Sequence, residues 1–235
     1  MPAFARRGAN FGADFTGFFR FMSLLLPVYV RGINNLSDAR YCAGMGAAGL
    51  IFTLDPALPE ALPPAEAREL AGWVAGVELI GEFGPDAGLD QLLALATACH
   101  LSRVLLPETP LFIPGLHQPL PFPVLRETDL FTALQAQLDS DLAHDLSSAD
   151  FAAPGSALLL NLPATDDLAA WLPQLAALAR QFPLWLGGAI APVQLPALLA
   201  AVQPAGLVLQ GGHELKPGLR DFTELEALFE ALEVD

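Results

Sequence analysis

The sequence predicts a single (β/α)8 TIM barrel, and three observations favour that fold. Eight short apolar runs have the character of strands buried on both faces, and helical patterns separate most of them. The length of 235 residues suits a one-domain barrel. Hydrophobic residues make up 53% of the chain and charged residues only 16%, so a large core can form and disorder is not expected.

The elements follow one another in a regular order. The predicted strands are VYVRG, AGLIFTL, WVAGVELIG, SRVLLP, FPVLRE, ALLLNL, PLWLGG and AGLVLQGG. The helical patterns between them are NLSDARYCAGMG, PAEARELAG, DAGLDQLLALATACH, DLFTALQAQLDSDLAHD, TDDLAAWLPQLAALARQ and APVQLPALLAAVQ, and DFTELEALFEALE closes the chain. Asn35 is the predicted N-cap of the first helix, supported by Asp38. Between strands four and five, the proline-rich residues 107–123 predict a loop in place of a helix.

The barrel is expected to span residues 22–235. Residues 1–21 are rich in Phe and Gly and keep neither a helical nor a strand period, so they are predicted to be a disordered tail or a misassigned start. The apolar run that begins at Leu24 is too short to cross a bilayer and lacks a small-residue cleavage site. Neither a signal peptide nor a membrane anchor is therefore predicted.

Charge and cysteine content exclude several classes of partner. The formal charge is −15, from 26 acidic and 11 basic residues. Nucleic acids and anionic membranes are not expected to bind, because such binding needs a basic face. Cys42 and Cys99 lie in predicted helices without metal-ligand spacing, which predicts buried free thiols, a reducing cytoplasmic compartment and no metal site. No cofactor is predicted.

Ligands of such barrels bind at the C-terminal ends of the strands. That rule selects the residues at which the predicted strands end or which directly follow them. They are Arg31, Thr53, Asp55, Glu82, Glu108, Glu127, Asn161, Gly187, Gly188, Gly211 and Gly212.

Two Gly-Gly pairs follow strands seven and eight. Gly187 and Gly188 begin one loop, and Gly211 and Gly212 begin the other, next to His213. Glycines let backbone amides approach a ligand closely, and loops seven and eight are where barrels commonly bind phosphate. The alternative is that each pair only makes a tight turn. Because both adjacent loops carry a pair, the sequence predicts binding of a phosphorylated small molecule, with His213 able to contact the phosphate.

Both ends of the chain resemble the phosphoribosylanthranilate isomerase family of tryptophan biosynthesis. The C-terminal segment from PLWLGG to FEAL is similar to that family's Gly-Gly loop, last strand and Ser-Ser-Gly-Val-Glu-x-x-Pro-Gly-x-Lys-Asp closure. The opening VRGINNLSDARYCAGMGAAGLIF resembles its Lys-x-Cys-Gly-Ile start. The matched positions are Gly32, Ile33, Asp38, Ala39, Gly46, Gly212, Glu214, Pro217, Gly218 and Asp221. The resemblance implies a TIM barrel and a phosphorylated ligand.

The departures from the family fall on its chemistry. The resemblance implies a Cys general base after strand one and an Asp general acid after strand six, but this chain has Arg31 and Asn161 there. An arginine stays protonated and an amide cannot deliver a proton. The family's ligand-contacting Arg after strand two aligns with Glu60, and its Gly-Gly-Thr-Gly loop after strand six is absent. Little isomerase activity is therefore expected.

Arg31 has two possible roles. It could hold a carboxylate or second phosphate of a ligand at the barrel mouth, or it could form a structural ion pair with a nearby carboxylate such as Glu82 or Asp55. Three functions stay open: a divergent member that binds a phosphorylated molecule without the isomerisation, an active isomerase that uses Glu82, Glu108 or Glu127 instead, and a scaffold that uses residues 107–123 as its contact surface. The sequence does not predict an oligomeric state.

Overall fold

Eight parallel strands close into a barrel in chain order, so the predicted (β/α)8 fold is confirmed. In this computed structural model the strands are β1 Val28–Arg31, β2 Gly49–Thr53, β3 Glu78–Glu82, β4 Arg103–Pro107, β5 Val124–Asp129, β6 Ala157–Leu162, β7 Leu184–Gly188 and β8 Gly206–Gln210. Each of the eight sequence runs overlaps one of these strands; β3 and β5 extend one and two residues beyond their runs. The ring closes where β8 pairs with β1, with Arg31 opposite Gln210.

The helices pack outside the barrel between successive strands. They are α1 Leu36–Gly44, α2 Pro64–Trp73, α3 Leu89–Ala98, α4 Leu172–Ala179, α5 Leu195–Val202 and α6 Thr223–Leu232. Short 3-10 turns at Leu168–Trp171 and Pro192–Gln194 precede α4 and α5. The predicted cap is present, because the side chain of Asn35 accepts a hydrogen bond from the amide of Asp38 at 2.9 Å. No helix in the part of the chain that the structure describes is long and apolar enough to cross a membrane.

The structure describes residues 23–107, 120–133, 153–165, 167–216 and 219–234. Three predictions fall wholly or mainly outside these ranges. They concern the tail at residues 1–21, the proline-rich loop at 107–123 and the helix after β5, of which residues 130–133 are described and helical. These three stay predictions.

A second sheet follows the barrel. Strands β9 His213–Lys216 and β10 Leu219–Asp221 form a two-stranded antiparallel hairpin between β8 and α6. Sequence reasoning missed this hairpin, because its strands are short and largely polar and carry no alternating apolar pattern. The hairpin brings Asp221 and Arg220 back over the C-terminal ends of the strands, where Arg220 donates to the carbonyl of Gly212.

Inward-facing side chains of alternate strands stack in layers inside the barrel. The strand register places Ile51, Leu105, Leu159 and Val208 in the central layer, and Tyr29, Ile80, Leu125 and Trp185 in the layer below it. Arg31, Glu82, Glu127 and Gly187 form the layer above, at the C-terminal end. We call this upper set the mouth layer. It is the point at which an apolar interior gives way to charged side chains.

The main hydrophobic core lies between the outer faces of the strands and the helices. Both cysteines are free and fully buried in it, as predicted, with Cys42 in α1 and Cys99 directly after α3. Burial raises the pKa of Cys42 to about 12, and the neighbouring charge of Asp38 adds to the effect. Burial also raises the pKa of Cys99. Neither thiol is suited to nucleophilic chemistry, which requires a thiolate.

Candidate functional site

Local sequence places Arg31 at the mouth of the barrel. Within β1, Val28 and Val30 face the helices, so the alternation of the strand turns Tyr29 and Arg31 inward. Gly32 follows with a φ of 80°, a left-handed conformation that suits glycine and turns the chain out of the sheet toward α1. The guanidinium is therefore the last inward side chain of its strand.

Arg31 spans the mouth between two carboxylates. Its Nη2 lies 2.5 Å from Oε1 of Glu82, and its Nη1 lies 2.5 Å from Oε1 of Glu127. Nη2 also donates to Oε2 of Glu127 at 3.2 Å, so that contact has the two-pronged geometry of a strong arginine and carboxylate pair. Of the two roles considered for Arg31, the ion pair with Glu82 is present, and Glu127 joins it.

Polar neighbours complete the network. Asn161 donates from Nδ2 to Oε1 of Glu127 at 2.6 Å, and the hydroxyl of Thr53 donates to Oε2 of Glu82 at 2.9 Å. Each of the four oxygens of these two carboxylates thus accepts at least one hydrogen bond. The side chains of Arg31, Glu82 and Glu127 are exposed by 25%, 11% and 16%, so the network opens to solvent only on its outer side.

The environment of Arg31 keeps it a cation. Burial is the largest influence and acts to lower its pKa, but the hydrogen bonds and charges of Glu82 and Glu127 together outweigh it. The pKa of Arg31 therefore lies above the ordinary value of an arginine. A group of this kind cannot act as a general base.

The other carboxylates considered for Arg31 or for catalysis lie elsewhere. Asp55 is buried and accepts hydrogen bonds from the amides of Gly84 and Ala57, both at 2.9 Å, so it shapes the loops after β2 and β3. Glu78 lies at the opposite end of β3, where it accepts a hydrogen bond from Tyr29.

Glu108, His117 and His144 lie outside the described residues, as does the side chain of His213.

A second arginine fixes the loops around the mouth. Arg220 is 5% exposed; its Nε lies 3.2 Å from Asp38, and its Nη2 lies 3.4 Å from Glu60. Its Nη1 donates to the carbonyl of Gly212 at 2.9 Å. Arg220 thereby ties the β9–β10 hairpin to α1 and to the loop after β2. Sequence reasoning missed it, although its place beside Asp221 in the closing motif, where the resembled family has a Lys, was a usable signal.

The Gly-Gly pairs lie where the phosphate hypothesis requires, at the ends of β7 and β8. Each pair also has a packing reason. Gly188 has a φ of 83°, and a Cβ there would collide with the backbone of Leu162. A Cβ on Gly212 would collide with the carbonyl of Asp221. The amide of Gly211 donates to the carbonyl of Arg31 at 2.7 Å, so it holds β8 against β1.

A cavity of about 530 Å³ adjoins the loop after β7. It lies between the loops that follow β6 and β7 and the first two turns of α6. Gln194 uses both ends of its amide on Ala191 and on the carbonyl of Thr165, and Thr223 donates to Asp221. Among the described residues that line the cavity, Glu224 is the only charged one, and the others are mainly apolar.

No group of three or more His, Cys, Asp or Glu residues able to hold a metal ion occurs within the described ranges. The mouth layer offers two carboxylates, but both are bound to Arg31. The residues brought together at the C-terminal end are therefore a cation with two carboxylates, an amide and two Gly-Gly turns. Such a set can bind and orient a polar ligand.

Comparison with known proteins gives a consistent result. No protein-family model matches the chain. It is 29% identical over 220 residues to the N-(5'-phosphoribosyl)anthranilate isomerase of Deinococcus radiodurans, covering 87% of this chain and 95% of that one. The phosphoribosyl anthranilate isomerase structure from Thermus thermophilus superposes with a TM-score of 0.64 at 27% identity, covering 88% of this chain and 98% of that chain.

A further solved structure contains a bound ligand. It is a phosphoribosyl anthranilate isomerase in complex with reduced 1-(o-carboxyphenylamino)-1-deoxyribulose 5-phosphate. It superposes with a TM-score of 0.66 at 20% identity, over 88% of this chain and 98% of that chain. At that identity the likeness concerns the fold.

Proposed function

We propose that this chain, which belongs to the phosphoribosylanthranilate isomerase family, binds a phosphorylated small molecule at the mouth of its barrel without catalysing the family's isomerisation. One observation carries the proposal. Arg31 and Asn161, which the sequence resemblance aligns with the family's general base and general acid, both donate to the carboxylate of Glu127. On that alignment, two donors that hold an anion replace the two groups that would move protons.

The loss of both proton-transfer groups argues against the isomerisation. Each missing acid or base lowers a rate by about 10²–10⁴-fold. The pKa of Arg31 is raised by its carboxylate neighbours, and the amide of Asn161 has no acidic proton to give. Arg31 therefore cannot serve as the general base, and Asn161 cannot serve as the general acid.

Retained glycines support a retained ligand. Gly187 and Gly188 directly precede Ala189, from which the loop after β7 lines the cavity on its way to the α5 helix. Loops seven and eight are the usual place for a phosphate in this fold. A solved structure of the same fold contains reduced 1-(o-carboxyphenylamino)-1-deoxyribulose 5-phosphate, a phosphorylated ligand. A sugar phosphate is the ligand class that fits these three points.

An active isomerase that uses Glu127 as a substitute is the second candidate. Glu127 favours it, because this carboxylate lies within hydrogen-bonding distance of both Arg31 and Asn161. The hydrogen bonds that Glu127 already accepts argue against its role as a substitute base. Both oxygens of Glu127 accept hydrogen bonds, and both oxygens of Glu82 do so as well. A base must leave such partners before it can take a proton.

The deciding measurement is the conversion of phosphoribosylanthranilate by the full chain, followed by fluorescence. We expect no measurable turnover and no rescue of a host that lacks the isomerase. The double variant Arg31→Cys with Asn161→Asp restores both group types, but it leaves Glu60 and the altered loop after β6 in place, so we expect at most a trace of activity. Wild-type turnover on the order of 1 s⁻¹ or above would establish the substitute-carboxylate mechanism instead.

Ligand binding is tested separately by thermal unfolding with inorganic phosphate and ribose 5-phosphate. A ligand at 100 times its dissociation constant stabilises the folded state by about 2.7 kcal/mol, so the melting temperature should rise. The variant Gly188→Ala should abolish the rise, while Gly72→Ala, in α2 with open space around it, should not. If millimolar phosphates leave the wild-type melting temperature unchanged, the binding proposal fails and a scaffold function gains support.

A further inference from the structure

The charges at the mouth bear on which phosphorylated molecule can bind there, and this step rests on the proposed function. A cation at the mouth would ordinarily be expected to recruit a ligand's carboxylate or second phosphate. Two of the guanidinium nitrogens of Arg31 are already bound to carboxylates. Its Nη1 and Nη2 donate to Glu127 and Glu82 at 2.5 Å each. A ligand carboxylate could use either of these nitrogens only by displacing one of the two side chains.

Displacement is opposed by the charge that would remain. Arg31 contributes one positive charge to the mouth layer, and Glu82 and Glu127 contribute two negative ones, so the formal sum is 1 − 2 = −1. A displaced glutamate cannot move far from the mouth, because strands β3 and β5 fix its backbone. An incoming carboxylate would therefore add a third negative charge beside a single guanidinium.

The second arginine is compensated in the same way. Arg220 pairs with both Asp38 and Glu60 near the loops after β1, β2 and β8. The formal charge of these three side chains also sums to −1. The charged residue among the described ones that line the adjoining cavity is Glu224, another carboxylate. Around the C-terminal end, each of these two arginines is thus outnumbered by the carboxylates bound to it.

We infer that the ligand carries a single anionic group, its phosphate, and that the end facing the mouth layer is neutral or positively charged. Hydroxyl or ammonium groups can donate to Glu82 and Glu127 from the outer, solvent-open side without disturbing Arg31. The selected class is a phosphorylated polyol or a phosphorylated amino sugar. Sugar acid phosphates and other carboxylate-bearing phosphates are excluded by charge.

Three open-chain probes of equal length test this inference by isothermal titration calorimetry. They are 1-amino-1-deoxyribitol 5-phosphate, ribitol 5-phosphate and ribonate 5-phosphate, which differ only in an ammonium, hydroxyl or carboxylate at C1. We expect affinity to fall in that order, with the ribonate at least about tenfold weaker than ribitol 5-phosphate, a modest effect for one unit charge in a partly buried site. Ribonate binding as tightly as ribitol 5-phosphate would overturn the inference.

A matched pair of variants assigns the discrimination to the mouth layer. Glu82→Gln keeps the shape and removes one negative charge, so the penalty on ribonate 5-phosphate should shrink by about tenfold. Glu127→Gln gives the same test from the other side of Arg31, should either variant fold poorly. Glu230→Gln changes the net charge equally on an exposed face of α6 and should leave all three affinities unchanged. An unchanged ribonate penalty in both mouth variants would refute the inference.

The outcomes separate this inference from the proposed function. If none of the three probes binds, the phosphate site itself is refuted, and the ligand class falls with it. If all three bind with equal affinity, the phosphate site stands and the charge selection is wrong. If the order is ammonium, hydroxyl, carboxylate, both stand.

Discussion

The two ends of the barrel interior are built from the same strands by opposite means. Toward the N-terminal end, the rings of Tyr29 and Trp185 stack with centroids 4.0 Å apart and planes inclined by 22°. Gly49 and Gly206 leave the space that these rings fill. At the C-terminal end, the mouth layer holds Arg31 between Glu82 and Glu127. One end is filled mainly by stacked rings, with the Tyr29 hydroxyl bound to Glu78 at its margin, and the other by paired charges.

The difference indicates which end is built for stability. Stacked aromatic rings bury large apolar areas and gain further from their mutual orientation. A partly buried charge network must recover the hydration that its members lose, and apolar residues of similar size are often as stabilising or more so. A charged layer in that place is therefore better explained by a ligand than by folding. Polar residues at the C-terminal ends of barrel strands commonly serve binding.

The largest expected effect concerns the aromatic end. Trp185→Ala should lower the free energy of unfolding by about 3–5 kcal/mol, because it empties a site lined by Tyr29 and the backbone of Gly206. Urea unfolding followed by far-UV circular dichroism measures the change. Trp73→Ala is the matched control; Trp73 is 60% exposed and contacts Arg40, so its loss should be below about 1 kcal/mol. Equal effects would remove the distinction between the two sites.

An intermediate effect is expected for the cation of the mouth layer alone. Arg31→Met leaves Glu82 and Glu127 facing each other without a cation and should lower the free energy of unfolding by about 2 kcal/mol. This is below the ~3–5 kcal/mol of a fully buried pair, because 25% of the Arg31 side chain is exposed. The same urea titration gives the value. A variant as stable as the wild type would show that the network contributes nothing to folding.

The smallest effect is expected when the whole network is replaced. The triple variant Arg31→Met, Glu82→Leu and Glu127→Leu removes all three charges together, so no unpaired charge remains. Its free energy of unfolding should lie within about 1 kcal/mol of the wild type or above it. Binding of ribose 5-phosphate should weaken in the same variant. A large loss of stability would mean that the mouth layer is structural, and the contrast between the two ends would fail.

The fold could be predicted because its signals are local. Each strand is a short apolar run, and each described helix has its own period, so alternation alone indicates the barrel. The capping of α1 by Asn35 was likewise visible in consecutive residues. The hairpin β9–β10 was not, because its short polar strands gain their place from contacts such as that of Arg220 with Asp38.

The site could be predicted only in part, for a geometric reason. The position of Arg31 at the end of β1 was expected, and pairing with Glu82 was one of the two roles considered for it. Its contact with Glu127 was not foreseen, since β5 lies opposite β1 in the eight-stranded ring and the two strands meet only across the interior. Which side chains share a layer depends on the stagger of the strands around the barrel, and that stagger cannot be predicted from any single segment of the sequence.

The described ends of the chain lie side by side. Leu25 donates to the carbonyl of Leu232 at 2.9 Å, Val234 donates to that of Ser23 at 2.8 Å, and β1 and β8 pair just beyond. During synthesis β1 emerges on the order of ten seconds or more before β8 exists, at ordinary elongation rates. Until then its edge has no partner on one side. A circular permutant that joins residue 234 to residue 23 would make this seam local, and we expect it to refold faster than the natural order.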